Sequence, residues 1–242
     1  MSSTAGINEL APGIALREIK TTLPRLLDWV SWYTPPNYPA TRRYWNKYAG
    51  THTHHTVTKL RDGGPEMLEL AARVFSQANR LESQPWYPAF LGGDLKSFEE
   101  PMSPKFTSAA TGQARFDFGM KQDRVYNQVV ATLSPDENTR VIALRSVSGL
   151  DCPSNTRLAY TLGPTADVFK LRDGEVFWHH LVTTAGASIL YGPLDRVLMN
   201  LIRLLGQDRK ERQTYRDEAI GIQTMTREEW QSLADSLGHG SG

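Results

Sequence analysis

The pair Asp173-Gly174, set between two runs of β-forming residues, constrains the fold of this chain more than any other feature. A type I′ turn needs positive φ at both central residues, and Asp-Gly meets that need, so the pair predicts a tight hairpin. Counting outward from the turn pairs Arg172 with Glu175 and, further along, Asp167 with His180. Alternation predicts an outward charged face with Lys170, Arg172 and Glu175. The inward face then carries Leu171, Val176, Phe169, Trp178, Asp167, His180 and Val182.

Composition limits the classes of protein to consider. The chain has 242 residues, 40% of them hydrophobic, which is enough for a substantial core. Its 27 basic and 26 acidic residues give a net charge of +1, so no nucleic-acid partner is expected. The basic cluster at residues 209–216 alternates with acidic residues up to Glu218, which predicts a solvated helix face. The single cysteine, Cys152, excludes an intrachain disulfide framework.

The sequence shows neither the pattern of a leader peptide nor that of a membrane-spanning helix. Residues 1–13 are polar and small, and no apolar run approaches the roughly 18 residues that a spanning helix needs. We therefore expect a soluble, cytoplasmic protein.

Residues 1–49 are expected to form a helical extension. A short helical pattern covers Ile14 to Ile19, and a second stripe starts at Leu23 with Pro24 in its first turn. The segment is rich in aromatic residues, which are Trp29, Trp32, Tyr33, Tyr44, Trp45 and Tyr48. Packing on the main domain is the favoured interpretation. An interfacial helix, a lid over a pocket, or a contact between two copies in a homodimer are the alternatives.

The main domain is expected over residues 50–220. It begins with a strand at Thr51 to Leu60 and a helix after Pro65, and period-two patterns follow. The candidate strands are Ala114 to Met120, Val125 to Leu133, Arg140 to Val147, Arg157 to Leu162, Ala166 to Arg172 and Glu175 to Thr184. A long helix is predicted from Gly192-Pro193 to about Ala219. Residues 221–242 should form a short helix, opened by the capping box Thr226 to Glu229, and a tail.

This order of elements resembles the START-like helix-grip superfamily, which includes polyketide cyclases, lipid-transfer domains and the major birch-pollen allergen. The resemblance rests on the element order, on Pro85-Trp86-Tyr87-Pro88 after the first domain helix, on the hairpin, and on Gly192-Pro193-Leu194. It implies an α+β fold in which a curved antiparallel sheet grips a long C-terminal helix around an internal cavity. It also implies that the first strand lies beside the last, which would bring His52, His54 and His55 near His179 and His180.

The Asp167 and His180 pair is the main candidate for chemistry. A histidine oriented by a carboxylate suits general acid/base catalysis, with Tyr126, Asn127 or Arg145 as polar neighbours. A cross-strand hydrogen bond that merely satisfies two buried polar groups is the plainer alternative. Strand parity alone leaves open which face Arg145 occupies.

The expected ligand is a hydrophobic or aromatic small molecule in the cavity. Candidate lining residues, which could equally be core packing, are Trp86, Tyr87, Asn127, Phe169, Trp178, Val182, Leu198 and Leu201. The leading functional hypothesis is a biosynthetic enzyme of the cyclase or dehydratase type without an organic cofactor. A non-catalytic carrier or sensor of lipids or other hydrophobic metabolites is the second hypothesis. A zinc-dependent lyase or hydrolase using His52, His54 and His180 is the third.

Overall fold

The computed structural model describes residues 12–46, 51–78, 90–97, 106–116, 123–147, 156–159, 165–185, 209 and 212–238. Its helices are α1 (Pro12–Trp32), α2 (Pro65–Ala78), the helical residues 212–224, called α3 here, and α4 (Arg227–Gly238). The strands are β1 (Ala40–Asn46), β2 (Thr51–Lys59), β3 (Phe90–Ser97), β4 (Phe106–Phe116), β5 (Asp123–Asp136), β6 (Thr139–Ser146), β7 (Thr156–Ala159), β8 (Thr165–Arg172) and β9 (Glu175–Ala185). None of the helices within these ranges is long and apolar enough to cross a bilayer.

All the strands join one sheet. Eight of them follow the order β1-β2-β9-β8-β6-β5-β4-β3, and every neighbouring pair is antiparallel. The short β7 pairs with β5 in parallel. The chain therefore has the predicted α+β helix-grip architecture, and β2 lies beside β9 as the resemblance implied.

The hairpin has the predicted turn and register. Asp173 has φ of 53° and Gly174 has φ of 78°, so both central residues are in the left-handed region. Residues pair outward from Arg172 with Glu175 to Asp167 with His180. The turn chemistry therefore fixes which side chains of β8 and β9 share a face.

The strands β3 and β4 differ from what the sequence predicts. The strand β3 was not predicted, because Gly92 and Gly93 interrupt its pattern, and β4 begins at Phe106 rather than at Ala114. The first half of β4 is rich in Ser, Ala and Thr, so its alternation of apolar and polar residues is weak. Cross-strand pairing with β3 and β5 nevertheless places these residues in the sheet.

One face of the sheet packs against α2, α3 and α4. The apolar residues of α2 recur at helical spacing and therefore form one stripe. This stripe is buried against the sheet. The cluster includes Met67, Val74, Phe75, Ile142, Phe169, Trp178, Ala219, Ile222 and Trp230. The predicted capping box opens α4, where the Thr226 amide donates to Glu229 Oε2 at 2.7 Å and the Glu229 amide donates to Thr226 Oγ1 at 3.2 Å.

The opposite face is covered by α1. Its buried residues Ala15, Leu16, Ile19, Leu26 and Val30 pack on a second cluster from the sheet that includes Val129, Val141, Val168 and Leu181. The three charged residues predicted on the outward face are accessible at the hairpin tip, where Arg172 and Glu175 are exposed and Lys170 is half-buried. Farther from the tip α1 covers the same face, and Val168 and His179 are buried.

The helix α1 is also continuous where two helices were predicted, and Pro24 lies inside it. An interior proline costs a helix about 3 kcal/mol. Apolar residues on both sides of Pro24, such as Ile19 and Leu26, bury against the same sheet face, and this burial outweighs the cost.

The residues before Gly50 contribute more than a helix, because β1 pairs along its length with β2. The domain limits predicted at residues 49 and 220 stay predictions. The predicted opening of the long helix at Gly192-Pro193 lies outside the described residues, whereas α3 continues past Ala219.

Candidate functional site

Asp167 and His180 meet across neighbouring strands, on the face that packs against α2 and α3. His180 Nδ1 lies 2.7 Å from Asp167 Oδ1. The same carboxylate oxygen accepts a hydrogen bond from Trp178 Nε1 at 2.9 Å. Asp167 is 5% exposed and Trp178 is fully buried. Two donors therefore hold this carboxylate, and the carboxylate in turn fixes the orientation of the imidazole.

The helix α3 adds two residues to this pair. The ring of Tyr215 lies 5.4 Å from the ring of His180 and 5.6 Å from that of His54. One turn further on, Glu218 is only 5% exposed. Its Oε2 has no hydrogen-bond partner among the described residues. The result is an acid/base cluster, made of Asp167, His180 and Glu218, in which two buried carboxyl groups lie near one half-buried imidazole.

Burial and charge act against each other on these groups. Burial lowers the pKa of His180, but the charge of Asp167, its hydrogen bond and the nearby Glu218 together raise it above the ordinary value. Burial raises the pKa of Glu218 to about 8; the His180 charge opposes this rise and the Asp167 charge supports it. Around neutral pH the cluster can thus hold exchangeable protons on both His180 and Glu218.

A metal would need a third suitable ligand. Strand register places His54 and Thr56 on β2 opposite Val182 and His180 on β9, so His54 and His180 share a face. Within the described part of the chain, no three His, Cys, Asp or Glu side chains are arranged to hold a metal ion. The side chain of His52 lies outside that part, and the zinc alternative remains a prediction.

Two of the other predicted polar neighbours, Arg145 and Asn127, do not join the cluster. Arg145 lies on the α1 side of the sheet, where its Nε donates to Glu18 Oε2 at 2.7 Å. Asn127 is buried on β5, two residues before Val129. Because alternate residues of a strand share a face, Asn127 lies on the side where Val129 packs against α1. The side chain of Tyr126 lies outside the described residues.

Besides Asn127, three of the predicted ligand-binding residues lie within the described part of the chain. Phe169 and Trp178 are buried against Phe75, with ring centroids 4.9 and 5.9 Å away, so both are packed in the core. Val182 is half-buried and pairs with His54. Trp86, Tyr87, Leu198 and Leu201 lie outside the described residues.

Sequence reasoning missed Glu218 because it belongs to a charged run. The expectation that this run is a solvated face is wrong for Glu218, which is buried between exposed Asp217 and buried Ala219. A signal was present in the spacing. Tyr215, Glu218, Ala219 and Ile222 recur at helical period, and all four are buried.

A second histidine pair lies on the α1 side. His55 Nε2 and His179 Nδ1 are 3.0 Å apart, and the rings of Tyr33 and Tyr44 lie 4.8 and 6.2 Å from that of His55. Burial lowers the pKa of His55 to about 3, with the charges of His180 and Arg42 adding to it. Burial also lowers the pKa of His179. This pair is therefore neutral and structural at neutral pH.

The fold and these contacts define an α+β helix-grip protein with a buried acid/base cluster. Among solved structures, the chain is similar to human StAR-related lipid transfer protein 5 at 7% identity and a TM-score of 0.47, over 87% of this chain and 99% of that one. It is similar to a STAR-related lipid transfer protein from Xanthomonas axonopodis at 10% identity and a TM-score of 0.43, over 82% and 98%.

A third similar structure is the di-domain ARO/CYC BexL from the BE-7585A biosynthetic pathway, at 14% identity and a TM-score of 0.34, over 88% of this chain and 61% of that one. Neither a protein-family model nor a curated protein matches the sequence. Identities this low concern the fold and carry no statement about activity.

Proposed function

We propose that this chain binds a hydrophobic or aromatic small molecule and acts on it as a cofactor-independent enzyme of the cyclase or dehydratase type. The observation that supports the proposal most is the cluster of Asp167, His180 and Glu218, in which both carboxyl groups are buried. Burying titratable groups next to one another is costly, and arrangements of this kind concentrate at sites of proton transfer.

The proposed roles follow from the hydrogen bonds. Because Nδ1 of His180 faces Asp167, Nε2 is the nitrogen left to meet a substrate. In a dehydration, the imidazolium protonates a leaving hydroxyl as the C–O bond breaks, and water departs. The neutral imidazole then takes the proton from the adjacent carbon, whose C–H electrons form the new double bond. Asp167 is a positioning residue that holds the ring and stabilises its charged form.

The carrier hypothesis has an observation of its own. Asp167 is already held by both His180 and Trp178, and Trp178 is fully buried. A hydrogen-bonded network of that kind can exist solely to satisfy buried polar groups. Under this hypothesis the chain binds its ligand and returns it unchanged.

Native mass spectrometry of the purified chain, followed by turnover measurements on the ligand it identifies, separates the two hypotheses. We expect the wild-type protein to convert the ligand, and His180→Gln to lower kcat by about 10²–10⁴-fold while retaining ligand binding. His179→Gln is the matched control, since it makes the same change one residue away on the opposite face. Unchanged turnover in His180→Gln contradicts the catalytic role. Binding without conversion by the wild type supports the carrier.

A further inference from the structure

A groove lies across the sheet from the acid/base cluster, between the end of α1 and the β8–β9 hairpin. Its walls include the rings of Tyr33, Tyr38 and Phe177, and the Tyr38 and Phe177 centroids are 5.5 Å apart. Its rim carries Lys170 and Arg172. The groove therefore combines an aromatic wall with two cations.

The last residue of α1, Trp32, belongs to the stretch of chain that borders this groove. Trp32 lies between the lining residues Ser31 and Tyr33, and it is 86% exposed. The next most exposed large apolar side chains of the described residues are Ile14 at 46% and Ile220 at 42%. An indole left this open gains free energy when a partner covers its apolar body and leaves its N–H at a wet boundary.

The nearby cations are held by weak contacts. Lys170 Nζ donates to the hydroxyl of Ser31 at 3.0 Å. Arg172 lies 3.4 Å from Asp173, but both side chains are more than half exposed, and pairs of that kind contribute little. Both cations can therefore turn to an external anion without breaking a buried ion pair.

From this juxtaposition we propose that the patch formed by Trp32, Tyr33, Tyr38, Lys170 and Arg172 docks onto an anionic phospholipid surface. Trp and Tyr prefer the boundary between headgroups and acyl chains, and adjacent Lys and Arg are attracted by anionic headgroups. A small soluble anion would use the cations but would leave the indole exposed. The proposal does not depend on catalysis at His180, which lies on the other face of the sheet.

The test is co-sedimentation of the full chain with vesicles of phosphatidylcholine alone or with about one third phosphatidylserine. We expect binding to the anionic vesicles only, weakened by added salt. The variant Lys170→Gln/Arg172→Gln should bind about fivefold more weakly for each charge removed. Trp32→Ala should bind at least about tenfold more weakly.

Matched controls are Arg73→Gln on α2 and Ile220→Ala on α3, both exposed and on the opposite side of the sheet. These variants should bind as the wild type does. The proposal is overturned if the wild type ignores anionic vesicles or if Trp32→Ala binds them unchanged. It is also overturned if solution mass shows a wild-type dimer that Trp32→Ala dissociates while neither protein binds vesicles, because the patch then contacts a second copy.

Discussion

Glu218 brings a second carboxyl group to a place that already holds one. Asp167 uses its oxygen to accept from His180 and Trp178, whereas Glu218 Oε2 has no described partner. The cheaper state for an unsatisfied buried carboxyl is the protonated one, because ionising it would leave a second negative charge out of water. The protonation state of Glu218 therefore bears directly on the stability of the fold.

Replacing Glu218 by Gln should flatten the dependence of stability on pH. The pKa of Glu218 is about 8 in the folded chain against an ordinary 4.5, so its contribution is fully present below pH 4.5 and is lost as pH rises to about 8. We expect Glu218→Gln to match the wild type near pH 4.5 and to exceed it at pH 8 by up to a few kcal/mol. Urea unfolding at both values measures this.

Asp217→Asn is the control for that experiment, since Asp217 is the exposed neighbour of Glu218 on α3. Asp217→Asn replaces a solvent-exposed carboxylate by an amide, and it should leave the dependence of stability on pH as it is in the wild type. An equal effect of the two substitutions would show that the overall charge of α3, rather than burial of Glu218, causes the slope.

Gly63 is a residue whose lack of a side chain is required by close packing. A Cβ there would lie 2.1 Å from the carbonyl oxygen of Gly174, and the Gly64 amide donates to that oxygen at 2.9 Å. The hairpin tip thus touches the turn between β2 and α2 through backbone atoms.

Gly63→Ala should destabilise the chain by about 2 kcal/mol or more, because backbone must move to accept the methyl group. Gly221→Ala is the matched control. It has nothing within 4 Å of its added Cβ and lies in α3, where alanine is the better helix former. Thermal unfolding should show a lower midpoint for the first variant and an equal or higher one for the second.

At the scale of elements, α1 acts as the second layer of the fold. Leu16 and Ile19 are almost fully buried against the sheet, and Arg145 on β6 bonds Glu18 on the helix. The packed interpretation of the N-terminal segment therefore holds for the body of α1. The interfacial interpretation survives only at its end, where Trp32 is exposed.

Truncating the buried face of α1 should destabilise the whole chain. Leu16→Ala leaves a cavity between α1 and the sheet, and we expect a loss of about 2–4 kcal/mol in the free energy of unfolding. Arg17→Ala changes the exposed neighbour on the same helix and should stay within about 0.5 kcal/mol of the wild type. Equal values for the two would mean that α1 is not held against the sheet in solution.

At the scale of the whole molecule, the sheet separates two sets of buried titratable groups with opposite effects of pH. Glu218 and His180 lie on the side of α2 and α3, and their raised pKa values make stability fall as pH rises. His55 and His179 lie under α1, and their lowered pKa values make stability fall as pH drops. Stability should therefore decline in both directions from a maximum at intermediate pH.

His55→Gln tests the acid side of this maximum. Because His55 has a pKa of about 3 in the folded chain against an ordinary 6.5, its contribution is present above pH 6.5 and is lost as pH falls towards 3. The steepest loss is about 1.4 kcal/mol per pH unit for each histidine. Histidine titrates between about pH 7.5 and 5. Urea unfolding over this range should show that the free energy of unfolding declines less steeply in the variant than in the wild type. An unchanged slope would assign the acid sensitivity to other groups.

Features that depend on near neighbours along the chain can be derived from the sequence alone. Positive φ at Asp173 and Gly174 set the hairpin register, and through it the pairing of Asp167 with His180. Thr226 and Glu229 set the start of α4 in the same local way. These features could be predicted because turn and cap geometry involve only a few consecutive residues.

Which face of the sheet each helix covers depends instead on tertiary packing. Alternation tells that Arg145 and its neighbours lie on opposite faces, but not that Arg145 meets Glu18 on α1. Alternation also does not predict that α1 continues through Pro24. Nor does it predict that Glu218, which lies in a charged run, is buried in the acid/base cluster. Each of these outcomes follows from burial against residues distant in sequence, and long-range packing outweighs local preference wherever the buried area is large.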